Sequence, residues 1–251
     1  NGNHDMQDIP KDLKRRHLDA EIAKYHDLCL EVGYSYYQTN HPSLATSAKF
    51  FLKHLRPRMP VGHQKTRIGG TGDGGDVMLE PTETTIAYSF GVSWNSPWDL
   101  DMARRGIKVY QYDGSVTREP DSHPNIFFHQ CFVGSSCSDS PPTKNLAQIL
   151  IDNKHENEHD IVLQMDIEGA EWDFFETISR EDMLRFSQII VEFHHLAFSM
   201  DRLELVRKIL ETHTPIHIHH NNHRLPLLIK PDNFFYIGEV FEVTYLRSRD
   251  Y

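Results

Sequence analysis

The chain contains 251 residues, of which 39% are hydrophobic and 25% are charged, a composition typical of one globular domain with or without an appendage. Its formal net charge of -10 argues against a nucleic acid as the partner. No apolar run approaches the roughly 18 to 20 residues that a membrane span needs, and the first residues lack the order of a signal peptide.

The cysteines indicate the compartment. Cys29, Cys131 and Cys137 have no metal-binding spacing and cannot all be paired in disulfides. We therefore expect a reducing, cytoplasmic location. The chain does not begin with methionine, which leaves open that it is part of a longer polypeptide.

The first quarter of the chain has a helical pattern. Apolar positions recur at spacings of three and four over residues 5–56, and a second helix is predicted to begin at Ser43 after Pro42. Residues 57–83 contain so many glycines and prolines that we expect a loop-rich connector without regular elements. These patterns predict an N-terminal helical region at 1–66 and a second domain at 67–251.

From residue 84 onward, short strand patterns alternate with helical ones. Strands are predicted at 84–90, 108–113, 126–133, 160–166, 187–194, 216–220 and 234–247, and helices at 97–106, 143–153, 171–179 and 201–213. Such alternation predicts an α/β fold of the Rossmann-like, doubly wound type. We expect a mostly parallel seven-stranded sheet with an antiparallel C-terminal strand and an N-terminal helical layer.

Ligands of open α/β sheets bind at the carboxyl ends of the strands. The first strand is followed by "GVSWNSPW", where Gly91 permits a tight turn before a helix with free N–H groups. The second strand ends at Asp113, which could accept hydrogen bonds from both hydroxyls of a ribose. The G-x-G-x-x-G motif of dinucleotide sites is absent, whereas a nucleoside cofactor without phosphates, such as S-adenosylmethionine, does not require it.

Several segments between residues 67 and 247 resemble one known family. In order, they are "RIGGTGDGGDVML", "AYSFGVSWNSPWDLDMA", "VYQYDGS", "LQMDIEGAEWDFF", "QIIVEFHHL", "HIHHNN" and "FEVTYLR". In these segments the chain is similar to the FkbM-like group of class I S-adenosylmethionine-dependent methyltransferases. The resemblance implies an O-methyltransferase with S-adenosylmethionine as cofactor and a small-molecule or glycan hydroxyl, most naturally that of a sugar, as acceptor.

The strand ends and the resemblance together indicate the cofactor-binding residues. These are Asp73, Gly74, Gly75, Phe90, Gly91, Val92, Trp98, Asp99, Asp113, Gly114, Ser115 and Glu168. The sequence departs from the family pattern at two places. Asp76 stands where an aromatic residue is expected, and Gly114 and Ser115 stand where a bulkier pair is expected.

The segments "MDIEGAEW" and "VEFHH" place acids and histidines at the ends of two strands. Asp166, His194 and His195 are the predicted catalytic residues. Because successive strand residues point to opposite faces, only one of the two histidines can face the cleft, and His194 shares a face with Glu192. Asp166, Glu192, His194 and, from "HIHHNN", His219 form a predicted site for Mg or Mn.

Other interpretations of these residues stay open. A metal ion would lower the pKa of an acceptor hydroxyl, whereas a histidine could take the hydroxyl proton without a metal. The histidines could also merely satisfy buried polar neighbours. Glu171 is interpreted as an acid favoured by the helix dipole. Two other function classes are a metal-dependent hydrolase and a cofactor-binding module without catalysis.

Overall fold

The computed structural model describes residues 37–39, 50–72, 75–194, 200–221, 227–229, 235–237 and 240–250. Its strands are β1 (Tyr37–Thr39), β2 (Lys65–Ile68), β3 (Asp76–Leu79), β4 (Ile86–Phe90), β5 (Lys108–Tyr112), β6 (Ile126–His129), β7 (Phe132–Val133), β8 (Ser138–Asp139), β9 (Pro142–Lys144), β10 (Ile161–Met165), β11 (Phe186–Phe193), β12 (His213–His220), β13 (Leu227–Ile229), β14 (Phe235–Ile237) and β15 (Phe241–Arg247). Its helices are α1 (Pro97–Arg104), α2 (Leu146–Asn153), α3 (Glu171–Thr177), α4 (Arg180–Met183) and α5 (Met200–Leu210). Residues 50–54 are also helical. In the described ranges, the helices are all too short or too polar to cross a membrane.

A seven-stranded sheet forms the centre of the protein, in the order β12-β15-β11-β10-β4-β5-β6. β15 is antiparallel to both of its neighbours, and the remaining pairs are parallel. This arrangement confirms the predicted Rossmann-like α/β class. The chain runs outward from β4 to β6 and then returns to β10 on the other side of β4. Strand order therefore reverses between β4 and β10, and a cleft opens at their carboxyl ends.

Both faces of the sheet are buried. One face carries a large apolar cluster that includes Tyr88, Phe90 and Val191, and Phe51 and Leu55 from the segment around the 50–54 helix join it. The opposite face packs under α1 in a second cluster, which contains Ala87, Val109, Val162, Ile190, Trp98 and Met102. Burial on both faces explains why the central strands are nearly continuous apolar runs.

Two of the predicted strands are interrupted. The run at 126–133 divides into β6 and β7, because the N–H of Cys131 donates to the carbonyl of His129 at 2.9 Å and turns the chain out of the sheet. β7 then joins a small sheet with β9 and β8. The run at 234–247 divides into β14, which pairs with β13, and β15 of the central sheet.

The sequence predicted a connector at 57–83 without regular elements, but this segment contains two strands. β2 and β3 form an antiparallel ribbon within it. The Gln188 side chain of β11 fixes this ribbon to the sheet: its Oε1 accepts the Leu79 N–H at 2.9 Å, and its Nε2 donates to the Leu79 carbonyl at 3.0 Å. A side-chain amide thus supplies pairing that the glycine and proline content of the segment did not indicate.

The predicted N-terminal helical layer is only partly described. Residues 50–54 are helical as predicted. The helical prediction is wrong at Tyr37–Thr39, which pair in parallel with β13 as strand β1. The rest of the segment before residue 50 lies outside the described residues. The domain division at residues 66 and 67 stays a prediction, and β2 runs across it.

His213 makes the stability of the fold depend on pH. It is 1% exposed, its Nε2 donates to the Phe186 carbonyl at 2.9 Å, and its Nδ1 contacts the Thr212 hydroxyl at 2.8 Å. Burial is the main cause that lowers its pKa from 6.5 to about 4; the hydrogen bond to Phe186 opposes this shift, nearby Arg247 adds to it, and Asp250 opposes it. The folded protein therefore holds neutral His213 at a pH where the unfolded chain is protonated.

We expect the resulting stability to be present above pH 6.5 and to be lost as the pH falls towards 4, by about 2 to 3 kcal/mol. Urea unfolding of the wild type and of His213→Gln at pH 7 and pH 4.5 measures this loss. The variant should show a smaller decrease, whereas His159→Gln, at an exposed position, should behave as the wild type. Equal decreases in all three proteins would contradict this assignment.

Candidate functional site

The main cleft lies where strand order reverses. It has a volume of about 870 Å³ including its open mouth, and it is lined by residues 91–99, Asp113, Ser115, Gln164, Asp166 and Glu168. The segments after the two strands are in direct contact, because the N–H of Asp166 donates to the Phe90 carbonyl at 2.8 Å. The chain therefore brings the predicted cofactor loop and the predicted catalytic acid to the same opening.

Gly91 allows this close approach. Its φ is +82°, a conformation that side-chain-bearing residues rarely adopt, and a Cβ atom at this position would overlap the carbonyl oxygen of Asp166. The Gly91 N–H also donates to the Tyr112 carbonyl at 3.0 Å. This glycine is thus required both by its backbone angle and by its contact with the segment that follows β10.

Asp113 anchors the loop after β4. Its Oδ2 accepts the N–H groups of Val92 and Ser93, each at 2.8 Å, and its Oδ1 accepts the Ser115 N–H at 2.7 Å and the Ser115 hydroxyl at 2.6 Å. Burial alone would raise its pKa, but these hydrogen bonds outweigh burial and lower it. A ribose that binds Asp113 has to displace one of these donors. The Ser115 hydroxyl is the donor that can leave by rotation of a side chain alone.

Replacement of Asp113 should weaken binding of a ribose-containing cofactor. We expect Asp113→Asn to cost about 1 to 3 kcal/mol, which corresponds to a 5- to 150-fold loss of affinity for S-adenosylmethionine. Calorimetric titration measures the effect. Asp139→Asn, at an exposed position outside the cleft, is the control and should bind as the wild type does. Equal affinities of the wild type and Asp113→Asn would contradict this role for Asp113.

The structure explains the small residue after Asp113. A Cβ atom on Gly114 would overlap the aromatic ring of Phe132, so this ring occupies the space where a bulkier residue 114 was expected. Phe90 lies in the apolar core and is fully buried, and Val92 contributes its backbone N–H to Asp113. Gly75 is described, and its carbonyl accepts from Arg67. Asp73 and Gly74 lie outside the described residues.

Two polar side chains at the start of α1 line the cleft. Trp98 and Asp99 are almost fully buried. Within the described ranges, Trp98 Nε1 and Asp99 Oδ1 have no hydrogen-bond partner. Burial raises the pKa of Asp99 to about 6, and hydrogen bonds with Ser89 and Gln111 act in the opposite direction. Such orphaned groups are usually satisfied by water or a ligand, so this region suits a cofactor with polar ends.

Three of the four predicted metal-binding residues converge beside this cleft. Asp166, Glu192 and His194 each offer a ligand atom, and these atoms lie within 4.8 Å of one another. His194 Nε2 is 3.2 Å from Glu192 Oε1, 3.6 Å from Asp166 Oδ1 and 3.5 Å from Glu168 Oε2. Asp166 Oδ1 is buried and accepts no hydrogen bond from the described residues. One nitrogen and two carboxylates form a donor set that fits Mg or Mn.

His219 is not part of this group. Its register partner is Glu242 of β15, and Glu242 in turn pairs with Glu192 of β11. A doubly wound strand order predicts that the ends of β11 and β12 are neighbours, but β15 lies between them. Two strand spacings of about 4.8 Å each separate His219 from Glu192. His195 lies outside the described residues.

Charge dominates the environment of the converging residues. Burial and the neighbouring Glu192 raise the pKa of Asp166 to about 7. Burial would lower the pKa of His194, but hydrogen bonds with Glu171 and Glu192 outweigh burial and raise it to about 10. The neighbouring carboxylates therefore favour the protonated form of His194, which does not accept a hydroxyl proton. A divalent ion would compete with the Nε2 proton for the same electron pair.

The burial of two acids, Glu171 and Asp76, was not predicted from the sequence. Glu171 is not merely a helix-dipole acid: it is 0% exposed, and its Oε1 accepts the Ile167 N–H and contacts His194 Nδ1, both at 3.0 Å. Its apolar neighbours in "AEWDFF" were the signal for burial. Asp76 is also buried, and its pKa is raised by burial and by nearby carboxylates, of which Glu242 contributes most.

Comparison with known proteins identifies the family of the chain. A family model described as "Methyltransferase domain" matches residues 8–226. The chain belongs to this methyltransferase-domain family. No curated protein matches the chain. The match covers most of the methyltransferase chain, including the residues that line the cleft and the Asp166, Glu192 and His194 group.

Proposed function

We propose that this methyltransferase transfers the methyl group of S-adenosylmethionine to a hydroxyl of a small molecule or glycan, most naturally a sugar. The observation that carries the proposal is the convergence of Asp166, Glu192 and His194 beside the cleft that Asp113 and Gly91 line. This arrangement provides a place for a nucleoside cofactor and, next to it, a place for an acceptor oxygen. The resemblance to the FkbM-like group supports the choice of a sugar hydroxyl.

The cofactor half of the cleft would be formed by the loop after β4 and by the start of α1. Asp113 would bind the ribose, while Trp98, Asp99 and Glu168 line the same cleft and offer polar groups to the rest of the cofactor. Because the cofactor carries positive charge at its sulfonium and ammonium groups, these carboxylates would stabilise it. Asp73, Gly74 and Gly75 are proposed to cover the methionine end.

The acceptor half would hold a divalent ion, Mg or Mn, on Asp166, Glu192 and His194. When bound, S-adenosylmethionine supplies an electrophilic methyl group, and the ion supplies a Lewis acid that lowers the pKa of a hydroxyl. The residues of the chain would hold the acceptor oxygen near the methyl group of the cofactor and in line with it. The proton of the acceptor hydroxyl would pass to water in the open cleft. Asp166 contacts both halves, since it lines the cleft and belongs to the ligand group.

The alternatives are less well supported. A metal-independent histidine base would require a neutral His194, whereas its four carboxylate neighbours favour the cation. A metal-dependent hydrolase would not account for the loop that Asp113 anchors. A binding module without catalysis would not account for the convergence of Asp166, Glu192 and His194. We also propose a cytoplasmic location, supported by the free cysteines Cys131 and Cys137, and a functional division between the regions 1–66 and 67–251.

A product assay tests this proposal. The protein is incubated with S-adenosylmethionine carrying a labelled methyl group and with a panel of hexose and deoxyhexose glycosides, with Mg, with Mn and with EDTA. We expect labelled O-methyl sugar that disappears with EDTA. Labelled product that persists in EDTA would contradict the metal, and bound cofactor without product on any hydroxyl would contradict the proposed reaction.

A further inference from the structure

Two residues in the first turn of α3 make hydrogen-bonding contacts with His194. Glu171 Oε1 lies 3.0 Å from the His194 ring at Nδ1, and the Trp172 Nε1–H donates to the His194 carbonyl at 2.7 Å. Both helix residues are buried, and so is His194, which is 3% exposed. The first turn of α3 therefore holds both the ring and the backbone of His194.

The Glu171 oxygen acts as the acceptor in this contact, and His194 Nδ1 is the donor. Oε1 of Glu171 also accepts the N–H of Ile167, in the turn that follows β10. Glu171 is thus tied to the turn that carries Asp166 as well as to the ring of His194. With Nδ1 committed to Glu171, only Nε2 is directed to the carboxylates of Asp166 and Glu192.

We propose that Glu171 is a positioning residue. It accepts the hydrogen bond that His194 Nδ1–H donates and so fixes the ring, which leaves Nε2 to serve as a ligand for a divalent cation together with Asp166 and Glu192. The inference rests on the metal site of the proposed function, but not on the identity of the methyl acceptor. Carboxylates that orient metal-binding histidines in this way also increase the basicity of the ligand nitrogen.

Glu171→Gln is the variant that tests this role. The amide keeps the size of the side chain, and its oxygen can still accept from both Ile167 and His194, but the negative charge that raises the basicity of the ligand nitrogen is lost. Asp173→Asn is the matched control, because it removes an exposed acid from the first turn of the same helix. Mn²⁺ titration followed by electron paramagnetic resonance measures metal affinity, and nitrogen coupling to the bound ion reports on histidine ligation.

We expect Glu171→Gln to bind Mn²⁺ about 10- to 100-fold more weakly than the wild type, with reduced nitrogen coupling. Its affinity for S-adenosylmethionine should be unchanged, and Asp173→Asn should match the wild type in both. If Glu171→Gln does not fold, Glu171→Asp tests the same contact, because it keeps the charge but shortens the side chain by one methylene group; it should also bind Mn²⁺ more weakly.

Wild-type Mn²⁺ affinity in a folded variant would overturn the inference, and so would a wild type that binds no Mn²⁺ while it methylates its acceptor. A wild type that binds Mn²⁺ with nitrogen coupling but does not bind S-adenosylmethionine would instead overturn the proposed function. In that case the Glu171 comparison would still decide the positioning role, since metal affinity is measured without the cofactor.

Discussion

Asp166→Asn should abolish most of the methyl transfer while the protein continues to bind its cofactor. The substitution keeps the size of the side chain, but it removes one of the two carboxylates that lie beside His194 Nε2 in the candidate metal group. Loss of a group that acts on the reacting hydroxyl typically reduces turnover by about 10²- to 10⁴-fold. We therefore expect a loss in this range in the labelled-methyl assay, with a change of less than about threefold in cofactor affinity, since Asp113 and not Asp166 is the proposed ribose-binding residue.

Glu181→Gln is the control for this experiment, because it removes an exposed acid at the start of α4. It should retain wild-type turnover and affinity. We propose that Asp113 binds the cofactor and that Asp166 acts on the reacting hydroxyl through the metal group. If Asp113→Asn and Asp166→Asn lost affinity and turnover in the same proportion, this division of roles would be wrong.

Gly91→Ala should be the most damaging single-methyl change in the cleft. Its added Cβ would overlap the Asp166 carbonyl, which belongs to the backbone and cannot rotate away, and the residue would also keep a strained φ of +82°. We expect a loss of about 3 kcal/mol or more in the free energy of unfolding, or a displaced loop that no longer binds the cofactor. Denaturant unfolding and calorimetric titration measure the two effects.

Gly106→Ala separates backbone strain from collision. Gly106 has a similar φ of +86°, but a Cβ there would meet no atom within 4 Å. This control should lose only about 1 to 2 kcal/mol and should bind the cofactor as the wild type does. If the two variants were equally stable and bound the cofactor equally well, the close contact between Gly91 and the Asp166 carbonyl would not be the reason why position 91 requires glycine.

The sequence predicted the parallel part of the sheet well because its strands are buried on both faces and its helices are short and regular. It also located Gly91, Asp113 and Asp166, since each follows directly on a strand whose pattern is clear. The order of the strands within the sheet was harder to predict. His219 could be placed near Glu192 only by ignoring β15, and insertion of one strand between two others leaves no local signal in either.

The remaining differences arise from long-range contacts. The ribbon of β2 and β3 depends on Gln188, which is 109 residues from Leu79 in the chain. The role of Glu171 depends on a histidine 23 residues away. Both contacts are made by polar side chains that become buried, and a hydrophobicity pattern cannot distinguish such residues from exposed ones. The ring of Phe132, which fills the space beside Gly114, makes another contact that the local sequence pattern does not indicate.

Calorimetric titration with S-adenosylmethionine and with its demethylated product, each with and without EDTA, tests directly whether the cleft binds this cofactor. We expect micromolar binding of both molecules, little affected by EDTA, because we propose that Asp113 and the loop after β4 bind the cofactor and that the ion binds the acceptor. Acceptor methylation by the same samples should be lost in EDTA. Absence of binding in every condition would contradict the assignment of the cleft to this cofactor.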